Sequence, residues 1–190
     1  MTMRRSLSLI VLGLALVALT VRFSDFSEPR PAPSQAAASA TVATSTASAV
    51  TPLYPVERVV DGDTLAVEMS GKSVKIRLIG LDTPETVDPR KPVQCFGKEA
   101  SDKAKELLTG KSVRLEKDAS QGEYDKYGRL LAYVYLPDGT LFNKFMIAEG
   151  YGHEYTYNLP YKYQQEFKAA EARARAEKKG LWADGVCAET

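Results

Sequence analysis

Hydrophobic and polar positions divide the chain into three stretches of different character. From Leu7 to Val21 apolar residues run without a charge, behind the paired Arg4 and Arg5. A charged start followed by a short apolar run is the pattern of an export signal, and this run is shorter than the roughly 20 residues that comfortably span a bilayer. Arg22 follows at once, with no Ala-x-Ala step directly after the run. Residues 1–26 are therefore read as a cleaved signal peptide or an uncleaved membrane anchor through residues 7–21. Either way, the domain is expected to be exported. Residues 27–52 are rich in Pro, Ala, Ser and Thr. They lack the aromatics and long aliphatics needed to offset ordering entropy, which predicts a disordered, flexible linker.

From Leu53 the periodicity is that of a folded domain, over residues 53–190. Leu53 to Val60 and Thr64 to Met69 read as strands joined at Asp61-Gly62. After Ser70-Gly71-Lys72 a third strand ends at Ile79, where Ile76 and Leu78 alternate with Lys75 and Arg77. That alternation puts Arg77 on the face opposite the core. Phe96, Ala100, Ala104, Leu107 and Leu108 share one helical face, closed by Gly110. Val113 to Glu116 and Leu130 to Leu136 are two more strands. Leu141 to Glu149 reads as a short helix, and Pro160 opens a last helix running to Lys179. Five short strands with a helix between the third and fourth predict an α+β, mainly β, fold. The expected architecture is a five-stranded barrel of the oligonucleotide/oligosaccharide-binding (OB) kind with about three helices.

Charge narrows the chemistry. The chain has 25 basic and 24 acidic residues. Four basic residues (Arg4, Arg5, Arg22, Arg30) and two acidic ones (Asp25, Glu28) fall in 1–51, which leaves 21 and 22 over 52–190, a net of −1. A nearly neutral domain has no broad field for holding a polyanion, so phosphate binding must come from locally placed groups. His153 is the only histidine. This excludes His-based metal sites and a Ser-His-Asp mechanism. Cys95 and Cys187 are the only cysteines. An exported domain makes a disulfide between them plausible, and free thiols are the alternative.

Three polar clusters fall at turns between strands: Asp61 to Thr64, Asp82 to Glu85, and Asp125 to Arg129. Each alone reads as an ordinary turn. Together they supply Asp63, Asp82 and Glu85, hard oxygen donors of the sort Ca²⁺ or Mg²⁺ takes, beside Arg77 and Arg129. Carboxylates and arginines on one site suit phosphodiester hydrolysis, in which cations neutralise the transferring phosphoryl group and a carboxylate deprotonates water.

Val-Asp-Gly-Asp-Thr (60–64), Arg77 with Leu-Asp-Thr-Pro-Glu-Thr (81–86), and Asp-Lys-Tyr-Gly-Arg with Leu-Ala-Tyr (125–133) resemble, in order and spacing, the signature of the staphylococcal nuclease (thermonuclease) family. Gly97 to Ser101 and Gly180-Leu181-Trp182 extend the resemblance to roughly Leu53–Trp182. It implies an OB-fold, Ca²⁺-dependent nuclease acting on DNA and RNA and leaving 3′-phosphate ends. By the same resemblance Asp63, Asp82 and the Thr83 carbonyl ligate calcium, Glu85 is the general base, and Arg77 and Arg129 clamp the phosphate. Lys126 and Tyr127 match positions that contact a terminal phosphate. Tyr155 and Tyr157 resemble paired tyrosines on the base-binding side of the cleft, where stacking tolerates any sequence. Packing on the outside of the barrel is their alternative. The rival to a monomeric nuclease is a non-catalytic nucleic-acid-binding OB module, which would be free to lose the carboxylates and arginines that this chain keeps. No protein partner is implied.

Overall fold

A computed structural model describes residues 51–90 and 92–187. The signal or anchor expected at 1–26, with its membrane tether, lies outside the described residues, as does nearly all of the expected linker. No helix among the described residues is long and apolar enough to cross a membrane.

Three strands open the domain as a meander: β1 (Leu53–Asp61), β2 (Thr64–Met69) and β3 (Lys72–Leu78). Ser70 and Gly71 both take positive φ between the paired Met69 and Lys72. Two positive φ values in a two-residue loop match the twist of the flanking strands. Next come β4 (Leu81–Asp82), α1 (Gly97–Leu108), β5 (Ser112–Glu116) and β6 (Leu130–Tyr135). They are followed by α2 (Phe142–Ala148), β7 (His153–Glu154), α3 (Gln164–Ala176) and a 3-10 turn, Gly180–Trp182. The five longer strands close a barrel in the order β1-β2-β3-β6-β5, with β5 pairing back on β1. All pairs are antiparallel except β3 with β6. This is the expected OB fold with three helices.

The strand alternation sets the core. Leu65, Val67, Ile76, Leu78, Val113, Ala132 and Val134 are buried together with Phe142, Met146 and Ile147 of α2 and Phe167 of α3. Burying a large apolar side chain contributes about 1.5–3 kcal/mol each. Asn143 is fully buried on α2 and uses both ends of its amide. Its Nδ2 donates to the Ile79 carbonyl at 2.8 Å, and its Oδ1 accepts from the Val134 amide at 2.9 Å. The helix is thereby locked to the strand ends that carry the polar clusters.

Two expectations need correction. The last helix starts at Gln164, not Pro160, because residues 160–163 are committed to loop contacts. The Pro160 carbonyl accepts from Ser120 and Gln121, the Lys162 amide donates to Asp118, and the Tyr161 hydroxyl donates to Glu154. The helix also stops at Ala176, before Lys179, since Lys178 takes a left-handed φ of 53° that turns the chain. The second correction concerns Leu81–Asp82 and His153–Glu154, where the sequence pattern predicts no strand. They meet as a two-stranded sheet, Leu81 opposite Glu154 and Asp82 opposite His153. Strands of two residues carry too little periodicity to register in a sequence.

Candidate active site

Strand pairing brings the three polar clusters to one end of the barrel. Arg77, near the end of β3, pairs with Thr64 of β2 on one side and with Leu131 of β6 on the other. Asp63 precedes Thr64 and Arg129 lies two residues before Leu131, so the parallel β3–β6 pairing delivers Arg129 beside Arg77. An antiparallel partner there would present the other end of β6 to this site.

Arg77 is held by two carboxylates. One terminal guanidinium nitrogen lies 2.5 Å from Asp63 Oδ2, and the other donates to Asp82 Oδ1 at 2.8 Å. Asp63 is itself fixed, accepting from the Thr83 amide at 3.1 Å and from the Thr64 hydroxyl at 2.9 Å. Burial pushes the Asp82 carboxyl above its ordinary pKa, Arg77 opposes this, and the Asp63 charge adds to the rise. The Asp82–Thr83 segment is close-packed from both sides. A Cβ on Gly62 would meet the Thr83 side chain at 2.8 Å, and one on Gly152 would meet the Asp82 carbonyl oxygen at 2.7 Å. Glycine is needed at both because backbone and side chain approach without room for a methyl group.

Arg129 is held separately. Its Nε donates to Asp125 Oδ2 at 2.7 Å, a terminal nitrogen lies 2.6 Å from the same oxygen, and the other donates to the Thr64 hydroxyl at 3.3 Å. Asp125 also accepts from the Tyr127 and Arg129 amides, both at 2.9 Å. Burial alone would raise the Asp125 pKa, but these donors outweigh it and hold the carboxyl below its ordinary value.

A cleft of about 510 Å³ runs over this floor, lined by Arg77, Asp82, Arg129, Lys126, Tyr127, Tyr155 and Tyr157, among others. Tyr155 and Tyr157, both among the lining residues, are exposed, with ring centroids 6.3 Å apart. Lys126 and Arg129 both approach the exposed Tyr127 ring, at 5.1 and 5.3 Å from its centroid. Asp63, Thr83 and Glu85 are not among the lining residues. Asp63 joins the site through Arg77. Glu85 belongs to the turn after Asp82, and its Oε1 accepts from the Val87 and Asp88 amides at 2.7 and 3.1 Å. Burial works to raise the Glu85 pKa, yet the amide donors prevail and lower it, so the group is ionised at neutral pH.

Three supporting residues escaped the sequence reading as site residues. Asp125 orients Arg129, and its place in the third cluster was the available signal. Asp61 is buried and accepts from the Thr86 hydroxyl at 2.9 Å, joining the first cluster to the second. Gln94 grips the Glu85 backbone both ways, its amide donating to the Glu85 carbonyl at 2.9 Å and its Oε1 accepting from the Glu85 amide at 2.7 Å. Nothing in a lone glutamine of a Pro-rich loop announces that contact. Cys95 and Cys187 form a disulfide. His153 lies in β7 with its ring edge-on to Trp182 at 4.9 Å, away from the lining of the cleft.

Among the described residues no three His, Cys, Asp or Glu side chains are grouped to hold a metal. The donors that do converge are all oxygen: Asp63 and Asp82 place two negative charges on one guanidinium. This set carries an unbalanced charge and suits a hard cation completed by backbone carbonyl and water, as Ca²⁺ accepts. Thr83 lies beside both carboxylates, and its Oγ1 is buried without a hydrogen-bond partner among the described residues.

Fold and site together define the class: an OB-fold domain whose barrel end carries two arginines, each locked by carboxylates, over an aromatic-lined cleft. The family of staphylococcal nuclease homologues matches residues 75–184. The thermonuclease of Staphylococcus hyicus is 41% identical over 93% of this chain and 96% of its own length. That of Staphylococcus intermedius is 43% identical over 68% of this chain and 75% of its own length. The endonuclease YncB of Bacillus subtilis (strain 168) is 39% identical over 67% of this chain and 60% of its own length. The chain belongs to the staphylococcal nuclease family.

Proposed function

We propose that this protein is an exported, Ca²⁺-dependent nuclease that hydrolyses DNA and RNA with little sequence preference. The observation that carries the proposal is the pair of independently anchored arginines, Arg77 on Asp63 and Asp82 and Arg129 on Asp125, at the floor of one cleft. A planar guanidinium matches two phosphate oxygens at once, so two of them grip the charge that grows on the phosphoryl group in the transition state. Their carboxylate partners fix them before substrate arrives, which removes reorganisation from the reaction.

Asp63, Asp82 and the Thr83 carbonyl would hold Ca²⁺. Bound there, the ion supplies positive charge to a non-bridging phosphate oxygen and offsets the two carboxylates. Glu85 takes the proton from a water that attacks phosphorus. The bond to the 5′ oxygen breaks, that oxygen leaves with a proton, and the phosphate stays on the 3′ side. Lys126 and Tyr127 contact a terminal phosphate, and Tyr155 with Tyr157 offers ring faces to the bases. Stacking reads no sequence, as a scavenging or clearing nuclease requires. The thermonuclease relatives support a nuclease activity, and the paired Arg4 and Arg5 ahead of the apolar run from Leu7 to Val21 support export.

The product ends test the mechanism. Digestion in ¹⁸O-labelled water should place the label on 3′-phosphate termini and leave 5′-hydroxyl ends, read by mass spectrometry of short oligonucleotides. Label on 5′-phosphates would mean that the other ester bond breaks and would overturn the assignment.

A further inference from the structure

We propose that the Cys95–Cys187 disulfide is a positioning element for Glu85, and that it makes the nuclease responsive to redox conditions; this rests on the reading of Glu85 as general base. Cys187 lies beyond the 3-10 turn at the C-terminal end of the described chain. Cys95 lies beside Gln94 in the loop before α1. Gln94 clasps the Glu85 backbone at both its amide and its carbonyl. The covalent bond therefore reaches Glu85 through one residue and two hydrogen bonds.

Gln94 and Cys95 are exposed, as are Val87, Pro89, Arg90, Pro92 and Val93. Phe96, between Cys95 and α1, takes a left-handed φ of 65°, a conformation that a bulky residue keeps only when its surroundings enforce it. On its other side the loop meets the site itself. A Cβ on Gly97 would lie 2.9 Å from the Pro84 carbonyl oxygen, so the start of α1 rests directly on the Asp82–Glu85 turn.

The same C-terminal segment braces the opposite flank of the turn. Trp182 meets His153 edge-on, and His153 pairs with Asp82. The Arg175 guanidinium stacks over the Trp182 ring at 3.5 Å. Thus the tail reaches Asp82 through Trp182 and His153 of β7, and reaches the Glu85 backbone through the disulfide to Cys95 and the two hydrogen bonds of Gln94. Breaking the covalent arm leaves the first contact in place and frees the second.

The exchange is balanced with a dithiol reductant. Its thiolate attacks the sulfur of Cys95, the exposed member of the pair, Cys187 leaves as thiolate, and the second reductant thiol resolves the mixed disulfide. The products are two protein thiols and one oxidised dithiol. A small-molecule disulfide reverses the change. The protein is then fully active in oxidising surroundings and attenuated in reducing ones.

The test compares the full chain, oxidised and dithiol-reduced, with the C95S/C187S double variant and with Gln94→Ala, which keeps the disulfide. Amide hydrogen exchange is read well below the melting temperature, alongside kcat and KM on denatured DNA. We expect faster exchange at the Glu85 and Gln94 amides and unchanged exchange in the barrel strands. With it should come about a tenfold fall in kcat at constant KM, shared by Gln94→Ala and reversed by reoxidation in the wild type. Unchanged exchange at Glu85, or a loss of kcat only in proportion to global unfolding, would overturn the proposal. Faster exchange at full kcat would overturn the positioning role. Glu85→Gln then distinguishes the causes, because an inactive Glu85→Gln keeps the base assignment while a fully active one removes it.

Discussion

Arg129 owes its direction to Asp125, which fixes it from the Nε side and leaves the rest of the guanidinium edge toward the Thr64 hydroxyl and the cleft. A lysine at this position could satisfy the carboxylate but would present a single point of charge in place of a planar fork. Arg129→Lys should therefore lower kcat by 100-fold or more, a loss of roughly 3 kcal/mol of transition-state stabilisation, with little change in melting temperature. Wild-type turnover in a folded Arg129→Lys protein would deny the phosphate clamp. Arg77 is a poorer choice for this experiment. It neutralises two carboxylates, and Asp63 is buried, so removing the guanidinium leaves an unpaired charge and mixes destabilisation into the result. The sequence showed both arginines and the acids around them, since each sits in a short motif. It did not show that Asp63 and Asp82 both hold Arg77, because that depends on the fold around the end of β3.

At the scale of elements, β3 was legible from alternation, β2 and β6 as short apolar runs, and α1 from its helical face. The two-residue strands β4 and β7 and the true start of α3 were not. What fixes the start of α3 is Asp118, a buried residue outside every motif. Its carboxylate accepts from the Tyr133 hydroxyl at 2.7 Å, the Lys162 amide at 2.8 Å, and both the amide and hydroxyl of Ser120. It thereby ties β6 to the segment between the cleft tyrosines and α3. Burial by itself would raise the Asp118 pKa, but these donors win and depress it below the ordinary 3.8. A depressed carboxyl stabilises the fold fully above its unfolded pKa, and that contribution fades as pH falls through the lower folded value. Asp118→Ala should cost about 3 kcal/mol at pH 7 by stranding buried donors. The gap from wild type in urea denaturation should narrow as pH falls below about 4, where the unfolded carboxyl gains its proton. A gap that widens on acidification would contradict this reading.

At the scale of the molecule, the domain has almost no net charge, yet the centre concentrates arginines and carboxylates at one barrel end. On the proposed reading, affinity for a polyanion is local: Arg77, Arg129 and Lys126 of the cleft lining would provide the charge, and the tyrosines the sequence-blind surface. Barrel closure sets these groups in place, because the clusters at 61–64, 82–85 and 125–129 are far apart in sequence and adjacent only through β2–β3 and β3–β6 pairing. Their common site was readable through the family motif, not through periodicity. The disulfide adds a cross-link over 92 residues of chain. The paired cysteines were visible in the sequence, but the pairing itself needed the fold to bring the tail against the loop before α1.

The measurement that bears most directly on this account is hydrolysis of denatured DNA by the purified full chain. It should be run with Ca²⁺, with Mg²⁺ and with a chelator, beside a Glu85→Ser variant of equal melting temperature. The account predicts cleavage with Ca²⁺ alone and its collapse by at least 100-fold in the variant, the scale of loss expected for a general base. Cleavage that persists in chelator, or DNA binding without cleavage under any metal, would contradict it, and the latter would leave a binding module on the same barrel.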